Sequence, residues 1–390
     1  MISPQSFGLG WFVDGYSPVH WDSITDSHAA NWADPTFYVD FAKSLERACF
    51  DFILLEDSSY IPDKHTGTID PYVRNAVGVP KGDPIPLAAR MLSATDHIVI
   101  FPTLGTNEWE PEPLARVTAA LAEQSGGRSG WNAVTGFDQR AMDNYGKELP
   151  SHADRYRNAH TYVQTVGEVW DRRATIRPLT AQAGASEAGR NFAAQHADVI
   201  VAYSPTVAGM TEYRDDVRRR MVGHGRDPDD CRVYFIVWPI VASTDEEAHA
   251  IKDRVAEHLM QYPDYVLPML SRQAGIDLST YDPGTLLKDV AVNANATKGL
   301  MESMVRAYGD MTLLEVAVHE GLPVVAGTPA TVADQLIDMM AEVGGDGFLF
   351  EVDDDLSYAN VAAITDGLVP ELQRRGVLRS HAVNPLTVER

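Results

Sequence analysis

The chain has 390 residues, 45% hydrophobic and 22% charged, and its 55 acidic against 32 basic side chains leave a formal net charge of −23. A surplus of that size repels nucleic acid and anionic membrane surfaces, and no dense basic patch offsets it. No apolar run reaches membrane-spanning length, no signal peptide opens the chain, and Cys49 and Cys231 join no CxxC or metal-type cluster, so a cytoplasmic protein with two buried thiols and no metal is expected.

Short apolar runs alternate with amphipathic stretches, which is the pattern of repeated βαβ units. Phe7–Asp14 reads as the first strand, followed by a helix over about Pro35–Ala48 with Phe37, Phe41, Leu45 and Ala48 on one face. Asp51–Asp57 is a second strand, apolar on both faces, as a strand covered by helices must be. His97–Thr106 is the third strand, and Pro111 and Pro113 open the helix after it. Arg128–Thr135 is the fourth strand, and a helix follows over Ala153–Trp170. Leu179–Ala183, Asp198–Tyr203 and Arg232–Val241 are the fifth to seventh strands, with a helix beginning at Ser186. Gly347–Val352 is the eighth, after a helix over Ala330–Glu342, and a last helix covers Tyr358–Arg374.

Eight such strands with no linker between them predict an α/β fold, a (β/α)₈ TIM barrel forming a single domain over 1–390. The largest insertion lies between strands 7 and 8, where 259–321 reads as a lid, a side lobe or a dimer element.

In this fold the active mouth lies at the C-terminal ends of the strands. Asp57 ends strand 2; Thr103, Thr106, Asn107 and Glu108 end strand 3; Trp131, Asn132 and Thr135 belong to strand 4. Gln182-Ala183-Gly184-Ala185-Ser186-Glu187 joins a strand to a helix through small residues. Such a turn either presents free N–H groups and a hydroxyl to a phosphate or makes Ser186 a plain helix cap. His152, Asp154, Arg155 and Tyr156 open the preceding helix and either reach the same ligand or only cap it. His20 and Trp21 follow strand 1. A metal-dependent hydrolase assembled from Asp57, His65, Glu108 and His152, or a glycosidase using Asp57 and Glu108, has weaker support, because neither set carries a characteristic spacing. Trp11, Phe12, Tyr16, Trp21, Trp109, Phe137 and Trp238 hint at an apolar or aromatic substrate.

Several runs together resemble the bacterial luciferase-like flavin monooxygenases, in the branch of nitrilotriacetate monooxygenase, dibenzothiophene sulfone monooxygenase and pristinamycin synthase. They are Glu46–Asp51 with Glu56-Asp57-Ser58, Ser125–Thr135 (SGGRSGWNAVT), His152–Tyr156, Gln182–Arg190 (QAGASEAGR), Gly327-Thr328-Pro329 with Val332-Ala333-Asp334, and Gly345–Phe348. The resemblance implies a two-component, FMN-dependent monooxygenase. Reduced FMN would come from a separate NAD(P)H:FMN reductase, and O2 would oxidise a small apolar or heteroaromatic substrate through a flavin (hydro)peroxide. It places Asp57 and Thr103 beside the flavin ring and Asn132 and Thr135 at its polar face or ribityl chain. Tyr156, Gly184, Ala185 and Ser186 would hold the phosphate, with His152 near that end. His20 and His152 are the candidate catalytic groups, and a homodimer is implied. An F420-dependent oxidoreductase of the same superfamily and a non-catalytic flavin-binding protein are the alternatives.

Three departures stand out. Gly136-Phe137 follows the GWNAVT run where the family often has serine. Ser17-Pro18-Val19-His20-Trp21 differs from the usual HPxxWR form. Trp170–Pro178 joins helix to strand where relatives carry a longer segment, a loss that would open the substrate pocket.

Overall fold

A computed structural model describes residues 6–13, 34–290, 298–319, 323–352, 356–381 and 383–387. Its strands are β1 (Gly8–Val13), β2 (Phe52–Leu55), β3 (Val99–Gly105), β4 (Gly130–Val134), β5 (Leu179–Gln182), β6 (Val199–Ala202), β7 (Arg232–Val241), β8 (Val324–Gly327) and β9 (Gly347–Glu351). Every pairing between them is parallel, and β1 to β7 with β9 close on themselves through β6–β7, β7–β9 and β9–β1. This is the eight-stranded barrel expected, with β9 as its eighth member. The fourth to seventh strand positions and both buried free thiols also agree with the sequence-based expectation.

The strands are short and apolar because both faces are covered. Phe52–Leu55 is buried at all four positions. Phe52 and Leu54 turn inward to meet Phe101, Leu179, Val199, Tyr234 and Leu349, while Ile53 and Leu55 turn outward under the helices. Glycines make room for the inward rings: a Cβ at Gly130 would stand 2.2 Å from Phe101, and one at Gly347 would stand 2.3 Å from Tyr234.

β8 is the element that the sequence did not suggest. The long β7 uses Arg232–Phe235 against β6 and Tyr234–Val237 against β9, then continues as Trp238–Val241 beside β8. The extra length carries the chain out of the barrel into the large insertion.

The helices in chain order are α1 (Thr36–Arg47), α2 (Asp70–Arg74), α3 (Pro84–Ser93), α4 (Pro111–Gln124), α5 (Gln139–Asp143), α6 (His152–Arg173), α7 (Glu187–His196), α8 (Val207–Gly223), α9 (Asp245–Leu259), α10 (Pro263–Ala274), α11 (Lys298–Tyr308), α12 (Leu313–His319), α13 (Pro329–Val343), α14 (Tyr358–Ala362) and α15 (Val369–Arg374). The last two are joined through a π-helical turn at Ala363–Leu368. Helices α9 to α12 form their own apolar cluster around Leu259, Val266, Leu270, Met301 and Val316, which also takes in Tyr72 of α2 and Val77 just after it, from the connection between β2 and β3. The insertion is therefore packed against the barrel mouth on the β2 side.

The opposite end of the barrel is sealed by the C-terminal segment. Asn384 donates to the carbonyls of Asp51 (2.6 Å) and His97 (3.0 Å), and buried Asp51 takes the Tyr234 hydroxyl at 2.6 Å and the Arg379 guanidinium. His97 lies at this end, as expected of a residue that begins a strand. Among the described residues, no helix is long and apolar enough to cross a membrane.

Candidate active site

The barrel mouth opens into a cavity of about 380 Å³. Phe12, Leu54, Val201, Ile236 and Leu349 give it an apolar floor at the strand ends. Asp57, Thr103, Asn132, Thr135, His152, Tyr156, Gly184, Ala185 and Ser186, nominated from five separate stretches of chain, all line it. The barrel explains the convergence, since consecutive parallel strands deliver their C-terminal ends to one rim.

At the end of β5 the chain turns through Ala183–Ser186 into α7. Ser186 Oγ accepts the Gly189 N–H at 3.1 Å, so it caps the helix and also faces the cavity. The Tyr213 hydroxyl donates to the Gly184 carbonyl at 2.7 Å, and Arg190 Nε donates to the Ala185 carbonyl at 3.2 Å. The turn is thus held by its carbonyls, while first-turn N–H groups of a helix have no intrahelical acceptor.

Space here is measured in single atoms. A Cβ at Gly189 would stand 2.9 Å from the Tyr156 hydroxyl and 3.0 Å from Gly184 Cα. A Cβ at Gly184 would stand 2.9 Å from both the Gln182 amide and the Gly189 backbone. The Tyr156 hydroxyl therefore reaches the turn, and His152 packs edge-on to Tyr156 with ring centroids 5.2 Å apart. Arg155, only 2% exposed, also lines the cavity; burial lowers its pKa from an ordinary value far above neutrality. N–H groups, two hydroxyls and a cation at a helix start suit a phosphate.

Between this corner and β2, Thr103 and Asn132 pair in register across β3 and β4, and Asn132 Nδ2 donates to Thr103 Oγ1 at 2.8 Å. Asn132 Oδ1 and Gln182 Oε1 are buried without a hydrogen-bond partner. An unmet buried acceptor costs about 1–3 kcal/mol, so a ligand bringing donors to this wall recovers that energy. Isoalloxazine and ribityl groups carry such N–H and O–H donors, and the residues present fit an FMN.

The β2 end is ionic. Glu56 receives Lys81 Nζ on Oε2 at 2.6 Å and the Arg272 guanidinium on Oε1 at 2.9 Å, and both cations also reach Ser58 Oγ. Burial pushes Glu56 up, but the two cations outweigh it and hold it below the usual carboxylate range. Asp57 goes the other way: burial, then the neighbouring Glu56 charge, raises it to about 7. Burial also raises Glu108.

Arg272 and Lys81 escape a reading of the sequence alone. They lie 216 and 25 residues from Glu56 and belong to no local motif. The available signal is a lone cation closing the apolar run Tyr265–Leu270 on α10.

Other nominated residues are not brought together here. His65 does not line the cavity; its Nδ1 lies 2.9 Å from Ser271 Oγ, so the Asp57, His65, Glu108 and His152 metal set does not assemble. Trp11 packs against Phe41 and Phe50, whereas Phe12 and Phe137 do reach the cavity. The short helix-to-strand join at 174–178 enters β5 at the end away from the mouth, and no residue between Tyr156 and Gln182 lines the cavity. His20, with Tyr16 and Trp21, lies outside the described residues.

Comparison with known proteins agrees with this geometry. The chain is 31% identical over 391 residues to a pristinamycin IIA synthase subunit of Streptomyces pristinaespiralis, covering 90% of each protein. It is 27% identical over 423 residues to nitrilotriacetate monooxygenase component A of Aminobacter aminovorans, covering 92% of each. The fold matches the crystal structure of a riboflavin lyase with a TM-score of 0.85 at 24% identity, covering 98% of this chain and 95% of that one. The family model for luciferase-like monooxygenases matches residues 18–347. The chain belongs to the luciferase-like monooxygenase family, flavin-dependent enzymes that use reduced FMN and O2.

Proposed function

We propose that this chain is the oxygenase component of a two-component system, receiving reduced FMN from a separate NAD(P)H:FMN reductase and oxidising a small organic molecule with an apolar or heteroaromatic body. The observation that carries the reading is the meeting, in one cavity, of a phosphate-type corner at β5–α7 with two unpartnered buried carboxamide oxygens, Asn132 Oδ1 and Gln182 Oε1. Two of the relatives are named as one component or one subunit of a larger system, which agrees with a partner protein.

Ser186, Tyr156, Arg155 and the N–H groups after Gly184 would hold the phosphate, with His152 beside them. This assigns His152 to binding in preference to proton transfer at the ring. Asn132, Thr103, Thr135, Gln182 and Asp57 would take the ribityl chain and ring edge. Reduced FMN, when bound, supplies the electrons that activate O2.

The remaining work falls to the protein. The apolar floor excludes water, which otherwise diverts the oxidising equivalents to hydrogen peroxide. The phosphate corner contributes binding far from the reacting ring, so it serves affinity and orientation. With a carboxyl held up to about 7, Asp57 can both accept and give a proton near neutral pH. Helix α10 of the insertion would cover that side of the mouth, since its Arg272 forms part of the cavity wall.

The test is oxygen consumption with purified protein, reduced FMN and a substrate panel. Oxygen uptake with substrate oxidation supports the proposal. Anaerobic substrate reduction by reduced F420, or FMN binding without turnover of any candidate, replaces it with one of the two alternatives.

A further inference from the structure

We infer that the substrate of this enzyme is an organic acid, its apolar body over the barrel floor and its anionic oxygen received by Arg272 and the Tyr60 hydroxyl. The inference rests on the proposed oxygenase reading and adds the substrate class.

Two hydrogen-bond donors meet at the β2 end of the cavity. Arg272 comes from α10 in the insertion, its side chain is 13% exposed, and it lines the cavity. Tyr60 lines the same wall. Its hydroxyl is buried without a well-formed hydrogen bond, and among the charged groups acting on it Arg272 comes first. A guanidinium carries only donors, and a tyrosine whose pKa burial has raised stays protonated and can donate. What the Tyr60 hydroxyl lacks is an acceptor.

The carboxylates nearby do not supply it. Glu56 already shares its two oxygens between Lys81 and Arg272. Asp138, the other acid acting on Tyr60, caps α5 by accepting the Arg140 N–H on Oδ1, and its Oδ2, which makes no hydrogen bond, is ion-paired to Lys64 at 3.2 Å. Burial turns Asp57 and Glu108 toward their neutral forms. Glu56 thus divides its two oxygens between two cations, Lys81 and Arg272, with side chains 10% and 13% exposed. A substrate carboxylate completes this arrangement, and a charge-assisted bond to it is about twice as strong as one to a neutral oxygen. A bare hydrocarbon would instead leave Arg272 and Tyr60 desolvated against it.

The test uses matched acid and amide probes: benzoate with benzamide, indole-3-acetate with indole-3-acetamide, and hexanoate with hexanamide. Each is titrated calorimetrically into the full chain, with and without FMN. In at least one pair the acid should bind about tenfold tighter than its amide. Arg272→Gln should abolish that preference while leaving amide and FMN affinities in place. Arg272→Lys should keep part of it, and Tyr60→Phe should weaken the acid alone. If no acid outbinds its amide in the wild-type protein, or if the preference survives Arg272→Gln, the inference fails. FMN affinity is read in the same samples. Loss of FMN binding with the acid preference intact sinks the oxygenase reading instead.

Discussion

The two ends of the cavity are built from different materials. At β5 backbone N–H groups face a ligand together with the nearby Ser186, Tyr156 and Arg155 side chains, around Gly184 and Gly189, where a Cβ has no room. At β2 the facing groups are side-chain charges, gathered from positions as far as 216 residues apart. Backbone dipoles do not titrate, whereas carboxyls pressed together in a half-buried wall do. The first end should therefore bind in a manner governed by shape, and the second should respond to pH and to charge removal.

The largest effect is expected from Glu56→Ala. It strands Lys81 and Arg272 without their shared carboxylate and should cost about 3–5 kcal/mol in urea unfolding. An unchanged midpoint would mean that the ionic end is solvated and does not hold the insertion.

Gly184→Ala comes next, because its Cβ meets backbone at 2.9 Å. Overpacking of about 1–3 kcal/mol, expressed at the corner, should weaken FMN binding roughly tenfold to a hundredfold in a fluorescence-quenching titration. Full affinity in this variant would show that the corner is not the phosphate seat.

Ser186→Ala removes a helix cap worth about 1 kcal/mol of stability. It should also lower FMN affinity by about fivefold to tenfold, with a smaller change in turnover at saturating reduced FMN. Equal affinity in wild type and variant removes the assignment.

Asp57→Asn tests the contrast in pH response. The folded carboxyl sits at about 7, above its unfolded value, so the folded state keeps the proton longer. The stability this contributes is complete below the unfolded value and is lost as pH rises through about 7. The substituted carboxamide cannot ionise, so stability should fall less between acid and pH 8 than in wild type. Matching slopes in the two proteins would place the titration elsewhere. The smallest effect is expected from Asn132→Ala, a roughly twofold rise in hydrogen peroxide released per substrate oxidised, since one wall contact is lost and the site is otherwise kept.

Legibility in the sequence followed the same division. Gln182–Glu187, with Ser186 at its end, was readable because a strand, a small-residue turn and a helix start are contiguous. The choice between phosphate seat and helix cap was not readable, and in the structure Ser186 does cap α7 while lining the cavity. β8 is not legible in the sequence because Val324–Gly327 is a four-residue run whose partner is the outer half of β7, a strand whose inner half belongs to the barrel.

Periodicity and turn chemistry alone determined eight barrel strands, their order and the rim at which Asp57, Asn132 and Ser186 would gather. These are local consequences of alternating apolar runs, and a closed parallel barrel leaves its strand ends one place to go. Only the tertiary structure decided that Arg272 comes back from the insertion to share Glu56 with Lys81, and that Asp57 beside them is pushed toward neutrality. Burial and Coulomb interactions depend on distance in space, and spacing along the chain carries no record of it.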